Sequence, residues 1–169
     1  MTTVGESGIL PFGLESVLSA RPEVLTFHHH VPSVTVRDAD TTLDFPINQL
    51  LKTIAFRVKN RGWALAGVLG YQQVDYKRLG TALGVNRTQL MALSPIDVQE
   101  ELGYVIGGVA PFAPNTQTVV ILDENILRHA TIFCGTGSTD RTLEIAPADL
   151  IAASGALVAP IAKKPFCEG

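Results

Sequence analysis

The sequence predicts an α+β fold in a single domain, and three observations lead there. The chain has 169 residues, 46% apolar and 17% charged, which suits one compact domain with a real core rather than a disordered chain. Helical and strand periods occur in mixed order along it, without the strict alternation of a doubly wound sheet. Two apolar runs, 51–58 and 63–70, flank the polar Lys59-Asn60-Arg61-Gly62, the pattern of a β-hairpin.

The elements follow in order. Residues 9–20 carry Ile9, Leu10, Leu14, Val17 and Leu18 at helical spacing, which predicts an opening helix. Residues 24–30 read as a strand. Thr35, with Asp38 three positions on, predicts a short capped helix, and Pro46 opens a short turn or helix. After the hairpin, Asp75 is a good N-cap, Val74 and Leu79 sit at staple spacing, and Gly84 closes a helix over 75–84. A short strand at 90–93 leads to Ser94-Pro95, which starts a helix ending at Gly103. Thr118–Leu122 reads as a strand. Strands at 130–134 and 142–146 flank the turn-like Gly135-Thr136-Gly137-Ser138-Thr139-Asp140-Arg141. Pro147 opens a last helix, residues 156–161 read as a final strand, and the tail from Lys163 reads as mobile.

Composition removes several function classes. Two cysteines, Cys134 and Cys167, make neither a disulfide framework nor a four-cysteine zinc site. No apolar run reaches the roughly 20 residues needed to cross a bilayer. Met1–Glu6 lacks the basic start and apolar stretch of a secretory signal, so a reducing, cytoplasmic setting without membrane contact is the expectation. A net charge of −3 argues against non-specific nucleic-acid binding. That charge is uneven, with seven basic and three acidic residues between 51 and 100, enough for a local anion-binding surface or simply a solvated face.

Familiar catalytic signatures are missing. There is no Walker loop and no nucleophile elbow. Cys134 alternates within an apolar strand and reads as a buried structural thiol. His28, His29 and His30 do not make a metal site by themselves: on a strand only His28 and His30 share a face, and further ligands are not signalled. No metal or other cofactor is expected. Two features stand out instead. Lys52 lies inside the apolar run 50–56, where a lysine either snorkels to the surface or points into a cleft. Gly107-Gly108 precedes Val109-Ala110-Pro111-Phe112, where missing side chains allow close approach of a ligand to the backbone, or merely a tight bend before proline.

Taken in order, His30-x-Pro32-x-x-Thr35, Leu51-Lys52-Thr53, Gly107-Gly108-Val109-Ala110-Pro111-Phe112, Leu122-Asp123-Glu124, a Gly-rich hairpin and Leu143-Glu144-Ile145 with Pro147-x-Asp149-Leu150 resemble the YbaK/EbsC family. That family comprises free-standing aminoacyl-tRNA deacylases related to the editing domain of bacterial prolyl-tRNA synthetases. The resemblance covers about residues 25–160. It implies one α+β editing domain over residues 1–169, with a curved, mixed sheet flanked by helices. It implies an enzyme, a trans-editing hydrolase of mischarged aminoacyl-tRNA, with Cys- or Ala-tRNA(Pro) as the substrate expected. The alternative is a catalytically weak module that binds aminoacyl-tRNA or a synthetase.

The family's key lysine falls on Lys52 and its glycine-rich loop on Gly107, Gly108 and Pro111, so Lys52, Gly107 and Gly108 are the catalytic candidates. Backbone amides at the two glycines would stabilise the oxyanion of ester hydrolysis, and Lys52 would hold a terminal phosphate or ribose oxygen. No protein nucleophile is then required. His30, Thr53, Pro111, Phe112, Thr118, Asp123, Gly137 and Ser138 are the expected pocket residues. Asp123 reads equally as a strand-end cap, Ser138 as a turn residue and Thr118 as strand surface. Arg57, Lys59 and Arg61, at the hairpin turn, are the expected contacts to the acceptor end of tRNA. Many relatives carry basic residues where this chain has Ser138-Thr139. That departure and the weak net charge suggest loose tRNA binding, aided by a partner such as prolyl-tRNA synthetase.

Overall fold

The antiparallel pair Leu50–Val58 and Gly62–Leu69 is the spine of the molecule, paired residue for residue from Leu51↔Leu69 to Val58↔Gly62. The turn between them needs Asn60 at φ 64° and Gly62 at φ 106°, conformations that asparagine and glycine tolerate best. The computed structural model describes residues 26–30 and 45–164. Among them the strands are β1 (Thr26–His29), β2 (Leu50–Val58), β3 (Gly62–Leu69), β4 (Leu90–Ala92), β5 (Thr118–Asp123), β6 (Ile132–Gly135), β7 (Arg141–Ile145) and β8 (Leu157–Ala159). The helices are α1 (Tyr76–Leu83), α2 (Pro95–Leu102) and α3 (Pro147–Ser154).

All eight strands form one sheet in the order β1-β7-β6-β2-β3-β5-β8, with β4 also on β2. It is mixed: β2 with β6, β3 with β5 and β5 with β8 run parallel, and the other pairs antiparallel. The fold is therefore the expected α+β domain with a mixed sheet, with three helices among the described residues.

Strand alternation splits the core in two. Leu51, Ala55, Leu65, Leu69, Val120, Leu122, Cys134, Leu143 and Ile145 bury one face against Val98 and Leu102 of α2 and Leu150 of α3. Phe56, Val58, Ala64, Ala66, Val68 and Ile121 bury the other against Leu79 of α1, with Val74 and Ile161. Each of α1 and α2 is bounded as its sequence predicts. Asp75 Oδ1 accepts from the amides of Lys77 and Arg78, and Gly84 ends α1 at φ 70°. Ser94 Oγ accepts from the amide of Asp97, and Pro95 stands at the first turn of α2.

Some expectations shift. The last strand covers only 157–159. Beyond it Ala162 makes an isolated antiparallel bridge to Val74, and Lys163 N donates to Gln73 O. Short 3-10 turns at Arg87–Gln89 and Glu124–Arg128 follow strong local caps and have no apolar period to announce them. The helices expected over 9–20 and near Thr35, Pro32, and most of the expected mobile tail lie outside the described residues. No described helix is long and apolar enough to cross a membrane.

Candidate functional site

The paired glycines form a rigid corner. Gly108 N–H donates to Val105 O at 2.9 Å, closing a four-residue turn whose third residue, Gly107, has φ 79°. That positive φ is what a type II turn demands at this position. Gly107 is exposed and Gly108 buried. A Cβ on Gly108 would stand 2.7 Å from Gly137 O and 2.6 Å from a methyl of Val105. A Cβ on Gly135 would stand 2.5 Å from Val109 O. The two glycine-rich segments thus touch backbone to backbone, which only glycine permits. Downstream the loop is pinned in the core: Pro111 is buried, Phe112 is 1% exposed, and the Tyr104 hydroxyl donates to Phe112 O.

The β6–β7 hairpin completes the corner. Thr136 Oγ1 donates to Arg141 O and accepts from Ser138 N. The Ser138 hydroxyl donates to Asp140, and this bond holds the Asp140 carboxyl below the usual carboxylate range. His30 is fastened to the same hairpin. Its amide donates to Asp140 O at 2.9 Å, and its ring Nε2 is 2.8 Å from Thr142 Oγ1. Of the expected pocket residues, Gly137 therefore packs on Gly108, and His30 and Ser138 are fastened to the hairpin that carries Gly137.

The strand position of Lys52 is related to this corner through the sheet. Leu51 pairs with Cys134 across the parallel β2–β6 ladder. The next residues along the two strands are Lys52 and Gly135, and Gly135 is the residue against which Val109 packs. The Lys52 ammonium donates to Gln72 O at 3.0 Å. It is half-buried, and burial draws its pKa below that of an ordinary lysine. One carbonyl uses one of its three donors.

Other expected residues lie elsewhere or are already engaged. Thr53 falls by alternation on the opposite face from Lys52, across from Gly67. Its buried hydroxyl has no hydrogen-bond partner among the described residues. Thr118 Oγ1 donates to Asn115 Oδ1 within a tight turn. Asp123 is 1% exposed, and its carboxylate accepts from the amides of Asn125, Ile161 and Ala162, so it serves as the strand-end cap and also ties down the C-terminal segment. Arg57 makes a two-pronged ion pair with Glu101, which also accepts from Trp63 Nε1. Arg61 donates to Leu83 O. Lys59 is exposed. Phe112 fills the core rather than a pocket wall.

Sequence reasoning passed over Thr142, Thr136 and Gln72. Their contributions are contacts with residues distant in sequence or through a backbone carbonyl, and no local pattern marks them. It also passed over an aromatic group in which Phe45 stacks on Phe133 at 4.4 Å and His28 meets Phe45 edge-on at 4.9 Å. His28 Nε2 is 3.6 Å from Glu144 Oε2. Among the described residues no group of three or more His, Cys, Asp or Glu is placed to hold a metal ion. Cys134 is fully buried, which pushes its thiol up to about 12.

With this geometry in view, comparison with known proteins decides the family. The model of the aminoacyl-tRNA editing domain matches residues 30–153. The chain belongs to the aminoacyl-tRNA editing domain family, the YbaK/EbsC family. This editing domain is 30% identical over 118 residues to the uncharacterised protein YwhH of Bacillus subtilis (strain 168), spanning 70% of this chain and 73% of YwhH. It is 25% identical over 116 residues to EbsC of Enterococcus faecalis (strain ATCC 700802 / V583), described as a candidate Cys-tRNA(Pro)/Cys-tRNA(Cys) deacylase, covering 69% of this chain and 70% of EbsC. A crystal structure described as a candidate trans-editing enzyme for prolyl-tRNA synthetase superposes with a TM-score of 0.74 at 26% identity, covering 90% of this chain and 96% of the other. The hypothetical protein APE2540 shares the fold, with a TM-score of 0.77 at 24% identity over 89% of this chain and 99% of its own.

Proposed function

We propose that this editing domain hydrolyses the ester of a mischarged aminoacyl-tRNA in trans, with Cys- or Ala-tRNA(Pro) as substrate. The observation that carries the reading is the corner where Gly108 packs on Gly137 and Val109 on Gly135, next to the strand position that bears Lys52. A side-chain-free corner admits the terminal ribose and its ester close to the backbone. The half-buried ammonium supplies a fixed positive charge for a phosphate or ribose oxygen.

The difficult step adds an oxygen nucleophile to the ester carbonyl and builds charge on the carbonyl oxygen. Donors fixed at that oxygen lower the barrier. Gly108 N–H is used inside its turn, so its part is to hold the bend. The exposed Gly107 is left to present an amide to the oxyanion. Water attacks, or a hydroxyl or side chain of the substrate first takes the acyl group and water releases it in a second step. The tetrahedral intermediate then collapses, the ribose oxygen leaves with a proton, and free amino acid and tRNA result when water is the nucleophile. Neither a serine nor a cysteine is needed, in keeping with the deep burial of Cys134. Loose tRNA binding would be offset by association with prolyl-tRNA synthetase.

A second reading, a module that binds charged tRNA or a synthetase with little turnover, rests on Ser138-Thr139, where many relatives are basic, and on the neighbouring Asp140 carboxylate. One experiment separates the two. tRNA(Pro) charged with alanine, cysteine, serine or proline is incubated with the wild-type protein and with Lys52→Ala. Release of alanine or cysteine by the wild type and its loss in the variant support the deacylase. Binding of every charged tRNA with no release supports the module.

A further inference from the structure

We infer that the phosphates of the single-stranded 3′ end of tRNA run along the strip where the C-terminal segment 161–164 is stitched to the β3–α1 connection, and not over the β2–β3 hairpin turn. The inference rests on the editing reading above and relocates the RNA path expected from sequence.

The strip begins at Lys52. Its ammonium sits on Gln72 O, and the next residue, Gln73, receives Lys163 twice: Gln73 O accepts from Lys163 N at 2.7 Å and Gln73 Oε1 from Lys163 Nζ at 3.2 Å. Lys164 follows and is exposed. On the other side of the same connection, the first turn of α1 carries Lys77 and Arg78 and no acidic residue. Arg78 Nη1 donates to Ala162 O at 3.2 Å, so this guanidinium is bound into the same strip.

Two cations in the first turn of a helix oppose its dipole. Asp75 at the N-cap compensates the helix end itself, and the exposed side chain of Lys77 is open to an anion lying across the strip. Asp75 caps the amides of Lys77 and Arg78 and so offsets part of this charge, while the Asp123 carboxylate is buried on the amides of Asn125, Ile161 and Ala162. Tyr71 is 59% exposed on the same connection, where an aromatic ring suits an unpaired base.

The hairpin turn fits less well. Arg57 is neutralised by Glu101, while Arg61, on the carbonyl of Leu83, keeps its charge. Lys59 stands seven residues up β2 from Lys52, about 23 Å at the strand rise. A chain of nucleotides leaving an ester held near Lys52 meets Lys163 first.

The test compares Lys163→Ala/Lys164→Ala with Lys59→Ala/Arg61→Ala in the full chain. Affinity for uncharged tRNA(Pro) is read by fluorescence anisotropy between 50 and 200 mM salt, and hydrolysis is read on alanyl-tRNA(Pro) and on an alanyl ester of adenosine. For the first pair the expected result is a roughly tenfold loss of affinity at low salt. The slope of log K against log salt should fall by about 1.4, for two lost contacts at about 0.7 each, and the rate on the adenosine ester should be unchanged. The hairpin pair should leave affinity and slope near wild type. Wild-type affinity and slope in the first pair, or a larger loss in the hairpin pair, overturns the proposed path. So does an equal loss on the adenosine ester, which would make the lysines supports of the site rather than RNA contacts. If the wild type hydrolyses neither ester, the editing reading fails, while the salt slopes still decide the path.

Discussion

The carbonyl oxygen of Gly137 lies 2.7 Å from where a side chain on Gly108 would begin. Two loops, one after α2 and one between β6 and β7, therefore meet without any side chain between them. Because Gly108 N–H also closes on Val105 O, the bend has little freedom to move when a ligand enters. Preorganised backbone of this sort stabilises a developing oxyanion without reorganising at the moment of reaction.

Alanine substitutions test that corner. Gly108→Ala forces a Cβ against Gly137 and a stiff valine methyl, an overpacking cost of about 1–3 kcal/mol. Gly84→Ala, at φ 70° with open space around it, carries only the left-handed strain of roughly 1–2 kcal/mol. Urea denaturation should show comparable stability losses, while kcat on mischarged tRNA should fall sharply for Gly108→Ala and hold for Gly84→Ala.

Lys52→Ala should reduce kcat/KM by about 10²- to 10³-fold, the range for losing one fixed electrostatic contact, with the fold intact by circular dichroism. Burial lowers the pKa of Lys52, so the protonated, working form is lost as pH rises through a value below 10.5. The alkaline limb of the kcat/KM profile should appear there and move upward in Lys52→Arg. For stability the sign is opposite. The charged ammonium is disfavoured in the folded state, and this penalty is relieved as pH rises from the folded toward the unfolded pKa.

Asp123→Asn should destabilise the protein by about 3 kcal/mol in urea. An amide N–H₂ would face backbone N–H donors in a buried site where a carboxylate now accepts three bonds. Any KM measured for deacylation by the remaining folded protein should be unchanged. A raised KM at full stability would return Asp123 to the pocket.

With its thiol pushed up to about 12 and fully enclosed, Cys134 should resist alkylation at pH 8 in a Cys167→Ser background. Mass spectrometry should find it labelled only once urea unfolds the chain. Labelling of the native state would show that the β6 region opens.

Much of the fold was legible because local chemistry dictated it. Asp75, Val74, Leu79 and Gly84 bound one helix, Ser94-Pro95 and Gly103 another, and Asn60 sits where the hairpin must turn. The parallel pairings were not legible, since Leu51 beside Cys134 joins segments 83 residues apart and neither carries a mark of its partner. The same reason separates the site residues. The glycines announced themselves by what they lack. Arg57 looked available to RNA because Glu101, 44 residues away, leaves no trace beside it in the sequence, and Asp123 reads as a cap without revealing that residues 161 and 162 complete its shell.

The pairing of Ala162 with Val74, and of Asp123 with the amides beside it, also governs how the protein is made. A ribosome must deliver the chain past residue 162 before this seam can shut. Until then β5 keeps an unpaired strand edge, and the core half around Ile121 lacks Ile161 and Ala162. Nascent copies pass through a stage prone to sticking to one another, and mutations or early stops after residue 155 should be felt as poor yield well before they are felt as altered chemistry.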